Sequence, residues 1–208
     1  MEIELKYLVD SKETIEKIFS DGYLCEIKDQ KTEEELEIYA VYFDTEDRRL
    51  YREGIVFRVR KEGEKLVATL KWTGSTEEGM HKREEINVPV SDETKLTTPD
   101  IQIFNQSEMC GVLEELVGER KLMPIMNMFF TRRQMRVDTG KSINEISVDV
   151  GMIVCGEKTE PISELEVELY SGDEEDMKAL GALIADKYGL ISEDKSKYKR
   201  GLELLQQK

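Results

Sequence analysis

Histidine and cysteine are scarce in this chain. One histidine, His81, and three cysteines, Cys25, Cys110 and Cys155, stand among 208 residues. The cysteines lack metal-ligand spacing, and a single histidine cannot complete a Cys/His metal centre. Three thiols cannot all pair within the chain, which points to a reducing, cytoplasmic setting. His81 lies in a polar stretch that reads as a loop, and no catalytic role is assigned to it. No apolar run approaches the roughly 20 residues that cross a bilayer. The N-terminus lacks a basic-then-apolar signal pattern, and there is no low-complexity linker or solenoid repeat. Bases are outnumbered, 30 Lys and Arg against 45 Asp and Glu, for a net charge of −15. That balance excludes a general nucleic-acid binder, and no membrane partner is expected. It suits an anionic ligand only if the bases are gathered in one place. At 39% hydrophobic and 36% charged, the chain should fold and be very soluble.

What the sequence does have is strands with one charged face. Side chains alternate across a strand, so at the start Glu2, Glu4, Lys6 and Leu8 share one face. Ile3, Leu5, Tyr7 and Val9 share the other. Two carboxylates about 7 Å apart along a strand can hold a hard cation, which prefers oxygen ligands. Residues 35–44, 55–60, 65–72, 82–90, 126–137, 145–150 and 162–169 also read as strands, with Glu62-Gly63-Glu64 as a hairpin turn. Residues 74–79 read as a polar loop and 91–106 as turn-rich. Asp10, with Glu13 three positions on, reads as the cap of a helix that Gly22 stops. A helix ends at Gly118, another at Gly189, and Ser192 is the expected cap of the last. Trp72 and the Met126/Met128 pair read as packing, and Asp44 as either site chemistry or a turn-side cap.

The polar faces are sorted by sign. Glu2/Glu4, Asp149 and Glu164/Glu166/Glu168 offer acids. Arg58/Arg60, Lys71, Arg83 and Arg133 offer bases. If the sheet closes on itself, these faces line one interior, polar and locally basic, with the apolar faces outside under helices. The acids would hold a divalent metal, and the arginine forks an oxyanion with many charges. Val67, Thr69, Asn87 and Ser147 are the uncharged inward candidates, and few aromatics are expected there.

These residues resemble the CYTH domains, the triphosphate tunnel metalloenzymes. Glu2-x-Glu4-x-Lys6 is similar to the family's opening signature. Tyr42-Phe43-Asp44-Thr45, Phe57-Arg58-Val59-Arg60, Thr69-Leu70-Lys71, Arg83-x-Glu85, Thr131-Arg132-Arg133, Val148-Asp149, Glu164-Leu165-Glu166-Val167-Glu168 and Ser196-Lys197-Tyr198 follow in the family's order. The resemblance implies one domain over residues 1–208. Its fold would be mainly antiparallel β with flanking helices, an α+β arrangement whose eight-stranded closed barrel encloses a polar tunnel. It implies Mg²⁺ or Mn²⁺ and a small-molecule triphosphate substrate. Carried over, Glu2, Glu4, Glu166 and Glu168 bind metal with Asp149 assisting. Glu164 shares their face, and which two of Glu164, Glu166 and Glu168 are ligands stays open. Lys6, Arg58, Arg60, Lys71, Arg83, Arg133 and Lys197 hold phosphates. Arg133 is preferred to Arg132 because it completes Thr-x-Arg. Glu2, Glu4, Lys6, Glu166 and Glu168 carry the catalysis, and Glu85 is either a ligand or a salt-bridge partner. The expected reaction is hydrolysis of inorganic triphosphate to diphosphate and phosphate. A class IV adenylyl cyclase, a thiamine triphosphatase and a non-catalytic polyphosphate- or nucleotide-binding module are the alternatives.

Overall fold

The computed structural model of the protein describes residues 1–206. Eight long strands close into an antiparallel barrel: β1 (Glu2–Leu8), β2 (Glu34–Thr45), β3 (Val56–Glu62), β4 (Lys65–Glu77), β5 (Met80–Val90), β6 (Leu122–Asp138), β7 (Ser142–Cys155) and β8 (Lys158–Gly172). The sheet runs β5-β4-β3-β2-β6-β7-β8-β1 and shuts where β1 pairs with β5, Glu2 opposite Arg83. A short strand β9 (Ile191–Ser192) takes up β1 beyond that point, Ser192 opposite Tyr7. Among the described residues six α-helices accompany the barrel: α1 (Lys12–Phe19), α2 (Gly22–Ile27), α3 (Arg49–Arg52), α4 (Cys110–Leu116), α5 (Glu174–Tyr188) and α6 (Lys197–Gln206). No helix among the described residues is long and apolar enough to cross a membrane.

The alternation of each strand decides what faces out. Leu5, Tyr7, Met135, Val137, Ile146, Val148, Leu165 and Val167 form an outer cluster with residues of α1, α2 and α5. Val41, Phe43, Phe57, Val59, Ala68 and Leu70 form a second, with Leu50 of α3, Leu113 of α4 and the 3-10 turn that carries Phe104. Trp72 and Ile86 pack beside it, outside the barrel as expected. Each fully buried Leu or Phe contributes about 1.5–3 kcal/mol, so these layers hold the wall in shape while its inner face carries charge.

Several local expectations are corrected. Ser11, not Asp10, caps α1, its oxygen accepting from the Thr14 N–H at 3.1 Å, while Asp10 accepts from the Thr14 hydroxyl. Past the end of α1, Asp21 starts the extra helix α2 by accepting from the Tyr23 and Leu24 N–H groups. Residues 74–79 belong to a long hairpin arm, because ladder pairing needs backbone groups and not apolar side chains. Ser192 lies in β9, and the Ser196 oxygen accepts from the Lys199 N–H at the start of α6.

The largest correction concerns the interior, which is not polar throughout. The aligned inner faces of β2, β6 and β7 also present Ile38, Ala40, Tyr42, Met126, Met128, Phe130 and Ile153. Helix α6 inserts Leu204 against them, with Tyr198, Leu202 and Leu205 alongside. The helix plugs one side of the barrel and needs an apolar seat.

The wall beside that seat brings β6 close against Gly151 of β7. A Cβ there would overlap the Phe129 carbonyl oxygen and the Phe130 Cα. The obstacle is backbone, so it cannot turn aside. Gly151→Ala is expected to cost about 1–3 kcal/mol and to lower the melting temperature by several degrees, read by calorimetry. An unchanged melting temperature would show that the wall yields there.

Candidate active site

Pairing register fixes which charges meet. Across β1 and β8, Glu4 lies opposite Glu168 and Lys6 opposite Glu166. Across β7 and β8, Ser147 lies opposite Glu166 and Asp149 opposite Glu164. Across β6 and β7, Arg132 meets Asp149. On the far wall Arg58 lies beside Thr69, and Lys71 opposite Glu85. The enclosed tunnel measures about 540 Å³. Its lining holds eight lysines and arginines against nine glutamates. The expected locally basic interior is therefore corrected. A tunnel so balanced suits an anion that arrives with a cation.

The bases face an unmet demand. The Nε–H groups of Arg58 and Arg60 are buried and have no acceptor. Burial, then repulsion from Arg58, holds the Arg60 guanidinium down at about 10. Arg58 donates to Thr69 Oγ1 at 3.2 Å, and Thr69 donates to Asn87 at 2.7 Å, so the wall itself turns a guanidinium inward. Buried donors without acceptors are costly, and a phosphate oxygen would satisfy them.

The acids fall into two groups. Asp149, Glu164 and Glu166 bring ligand atoms within 4.8 Å of one another. Cations already answer them. Lys197 reaches Asp149 at 2.7 Å and Glu166 at 2.9 Å and also pairs with Glu164. Arg132 donates to both oxygens of Asp149 at 2.7 Å, and Arg200 reaches Glu164 at 3.3 Å. Burial works against charge on Glu166, yet Lys197, Lys6 and Arg132 hold its carboxyl well below the usual range. Neither Asp149 nor Glu164 lines the tunnel.

The second group is Glu2, Glu4 and Glu168, all lining the tunnel. Lys71 holds Glu2 at 2.7 Å and Lys6 holds Glu4 at 2.9 Å. The Glu168 carboxylate has no hydrogen-bond or ion-pair partner among the described residues. Burial first, then Glu2, Glu4 and Glu166, push its carboxyl up to about 8. Crowded oxygen donors short of positive charge suit a hard divalent cation such as Mg²⁺ or Mn²⁺. Both groups already hold ammonium partners, and Glu168 is the carboxylate among them without one.

Of the bases assigned from sequence, Lys6, Arg58, Arg60, Lys71, Arg83 and Lys197 line the tunnel. Burial pulls the Lys6 ammonium down, but Glu166 and Glu4 outweigh it and keep it well above its ordinary value. Arg133 is corrected. It points outward with Met135 and Val137, lies over the Phe19 ring at 4.2 Å and pairs with Glu16 and Glu33. Arg132 takes the inward place, because Phe130, Arg132 and Gln134 share the phase of the inner face. Glu85 is bound to Lys71 at 2.7 Å. Asp44 is the turn-side cap, accepting from the Leu50 and Tyr51 N–H groups. His81 is no loop residue but a buried member of β5, 1% exposed. Aromatics are more numerous inside than expected: Tyr42, Phe130 and Tyr198 line the tunnel, and Tyr42 stacks on Tyr198 at 5.4 Å. The Phe130-x-Arg132-x-Gln134 alternation was the available signal. Nothing in the sequence marked Tyr198 as internal.

Glu168 generates a pH test. Its folded value of about 8 lies above the ordinary 4.5. Between those values the unfolded chain has lost a proton that the folded chain keeps, so this group's contribution to stability falls as pH rises through the window. In EDTA, the melting temperature of Glu168→Gln relative to wild type should climb from pH 5 to pH 8. A constant difference would mean that Glu168 is ionised throughout.

A family model described as the CYTH domain matches residues 1–202. The inorganic triphosphatase of Haemophilus influenzae is 30% identical over 160 residues, 77% of this chain and 44% of that protein. The chain thus spans less than half the length of that relative. Among solved structures, the Hippeastrum adenylyl cyclase candidate HpAC1, described as having a dominant triphosphatase activity, superposes with a TM-score of 0.71 at 18% identity, covering 98% of this chain and 96% of that one. The PH1819 protein of Pyrococcus horikoshii superposes with a TM-score of 0.58 at 17% identity, covering 98% and 99%. Both are likenesses of fold.

Proposed function

The chain belongs to the CYTH-domain family, and on that premise we propose that it is a metal-dependent hydrolase of triphosphate compounds, inorganic triphosphate foremost, acting in the cytosol. One observation carries the reading: buried guanidinium donors without acceptors face a crowded carboxylate, Glu168, that has no base of its own, across one tunnel. A metal-bound triphosphate supplies both missing partners.

Arg58, Arg60 and Arg132 take phosphate oxygens on one wall, and Lys6 and Lys197 reach in from β1 and α6. Glu2, Glu4 and Glu168 hold Mg²⁺ or Mn²⁺, with Glu166 at the edge of the group. When bound, such an ion neutralises phosphate charge and lowers the pKa of water. Asp149 and Glu164 act through the bases they bind, fixing Arg132 and Lys197 in the orientation that meets the substrate. The strands give a rigid mount, so the donors need little rearrangement as charge moves from the attacked phosphorus to the leaving diphosphate.

The Tyr42–Tyr198 stack adds an aromatic surface to the wall, which keeps cyclisation of ATP as a second reading. Tyr42 is only 5% exposed and its face is taken by Tyr198, so hydrolysis leads.

Phosphate release should be abolished by EDTA and restored by Mg²⁺ or Mn²⁺. Tripolyphosphate should be cleaved faster than ATP or thiamine triphosphate at equal concentration. A chromatogram with cyclic AMP and pyrophosphate as the main products from ATP would promote the cyclase reading. Activity persisting in EDTA would remove the metal.

Arg60 separates binding from folding. Its folded value of about 10 lies below the ordinary 12.5, so at neutral pH its charge works against the folded state. Arg60→Met keeps the alkyl stem. It is expected to leave the melting temperature equal or higher while lowering kcat/KM for tripolyphosphate about tenfold or more, the scale of a lost charge-assisted hydrogen bond. A lower melting temperature with unchanged kinetics would make Arg60 a structural residue.

A further inference from the structure

His81 sits where three parts of the chain meet. Its Nε2 lies 3.0 Å from the Glu193 carbonyl oxygen. A carbonyl only accepts, so Nε2 carries the proton. Nδ1 is then a lone pair, and the groups facing it are donors: the Thr76 hydroxyl at 3.3 Å and Arg83 Nη2 at 3.4 Å. One neutral tautomer satisfies all three contacts.

Two of these contacts, to Arg83 and to Glu193, lead to the tunnel. Arg83 lines it, and its stem crosses Gly74, where a Cβ would come within 2.9 Å of the Arg83 Cγ. A bulge between Trp72 and Gly74 brings that glycine opposite Arg83. The bulge is held by Thr73 at φ 44°, a costly conformation for a β-branched residue. Glu193 opens a strap, residues 193–196, that runs from β9 to α6. The strap is tied to the barrel by Glu193 N–H to the Lys6 carbonyl at 2.9 Å and by Gly79 N–H to Asp194 at 2.6 Å. Lys197, the next residue, enters the tunnel.

We propose that His81 is a positioning residue of the triphosphate site, orienting the Arg83 guanidinium through Nδ1 and fixing the strap that presents Lys197 through Nε2. This rests on the triphosphate reading above. It makes the lone histidine part of the binding machinery without contact to substrate.

The two ring nitrogens can be tested apart. In His81→Asn the amide oxygen stands near the Nδ1 position and keeps the acceptor for Arg83. In His81→Gln the longer amide reaches the Nε2 position and keeps the strap contact. His81→Leu keeps neither. Tripolyphosphate binding by calorimetry in EDTA, and kcat and KM with Mg²⁺, are measured for each in wild-type and Arg83→Ala backgrounds. His81→Leu should weaken binding about tenfold, the range for a hydrogen bond to a charged group. His81→Asn should recover most of that loss. In the Arg83→Ala background the advantage of His81→Asn over His81→Gln should disappear, leaving His81→Gln, which keeps the strap contact, the equal or better binder, the non-additivity expected of coupled neighbours. Equal losses in Asn and Leu, or an Asn–Gln difference unchanged by Arg83→Ala, would overturn the proposal. If His81→Leu does not fold, the Asn–Gln comparison decides alone. A wild-type protein that binds tripolyphosphate without cleaving it would sink the hydrolase reading, while the binding measurements still decide the role of His81.

Discussion

Closure of the sheet through β1 and β5 is the constraint on which the rest of the structure depends. In an open sheet the charged faces of these strands would lie in water, where ion pairs are worth little. Closing the sheet turns the inward side chains toward one interior, part of it a tunnel of about 540 Å³ and part filled by α6. Charges there lose hydration and must find partners. The partners come from the same strand or from strands one or two places along the wall: Lys6 with Glu4 and Glu166, Lys71 with Glu2 and Glu85, Arg132 with Asp149 and Glu166.

The pairing is incomplete in two places. Arg58 and Arg60 keep buried donors without acceptors, and Glu168 keeps its proton up to about 8. Both weaken the ligand-free protein, and both are relieved by a metal–polyphosphate complex. Stability surrendered at a binding site and recovered on binding is the usual compromise of such sites. The outer apolar clusters supply the reserve that makes it tolerable.

Helix α6 joins the two halves of the problem. Its apolar side fills part of the barrel against Met126, Met128 and Ile153, and its first turn carries Lys197 and Tyr198 into the lumen. Lys197 lies within reach of three carboxylates because the helix is seated, not because its own strand neighbours place it there. The strap before α6, bound to Lys6, Gly79 and His81, sets where that helix begins.

How much of this was legible in the sequence varies by element. Period-two alternation in Glu2-Ile3-Glu4-Leu5-Lys6, in Arg58-Val59-Arg60 and in Glu164 to Glu168 already separates an apolar face from a charged one, since adjacent side chains on a strand must point apart. That was enough for the strands and for most inward charges. Arg132 and Arg133 show the limit. Two adjacent arginines occupy both faces, and only the pairing of Arg132 with Asp149 across β6 and β7 says which is inside. Had the phase been counted back from Met135 and Val137, Arg133 would have fallen on the outer face. The apolar seat of α6, the inward Tyr198 and the buried His81 depend on which segments pack together over long separations. His81 meets Glu193 across more than a hundred residues of chain. Local alternation determined which residues share a face. Closure and the insertion of α6 decided which face became the tunnel and which charges meet in it.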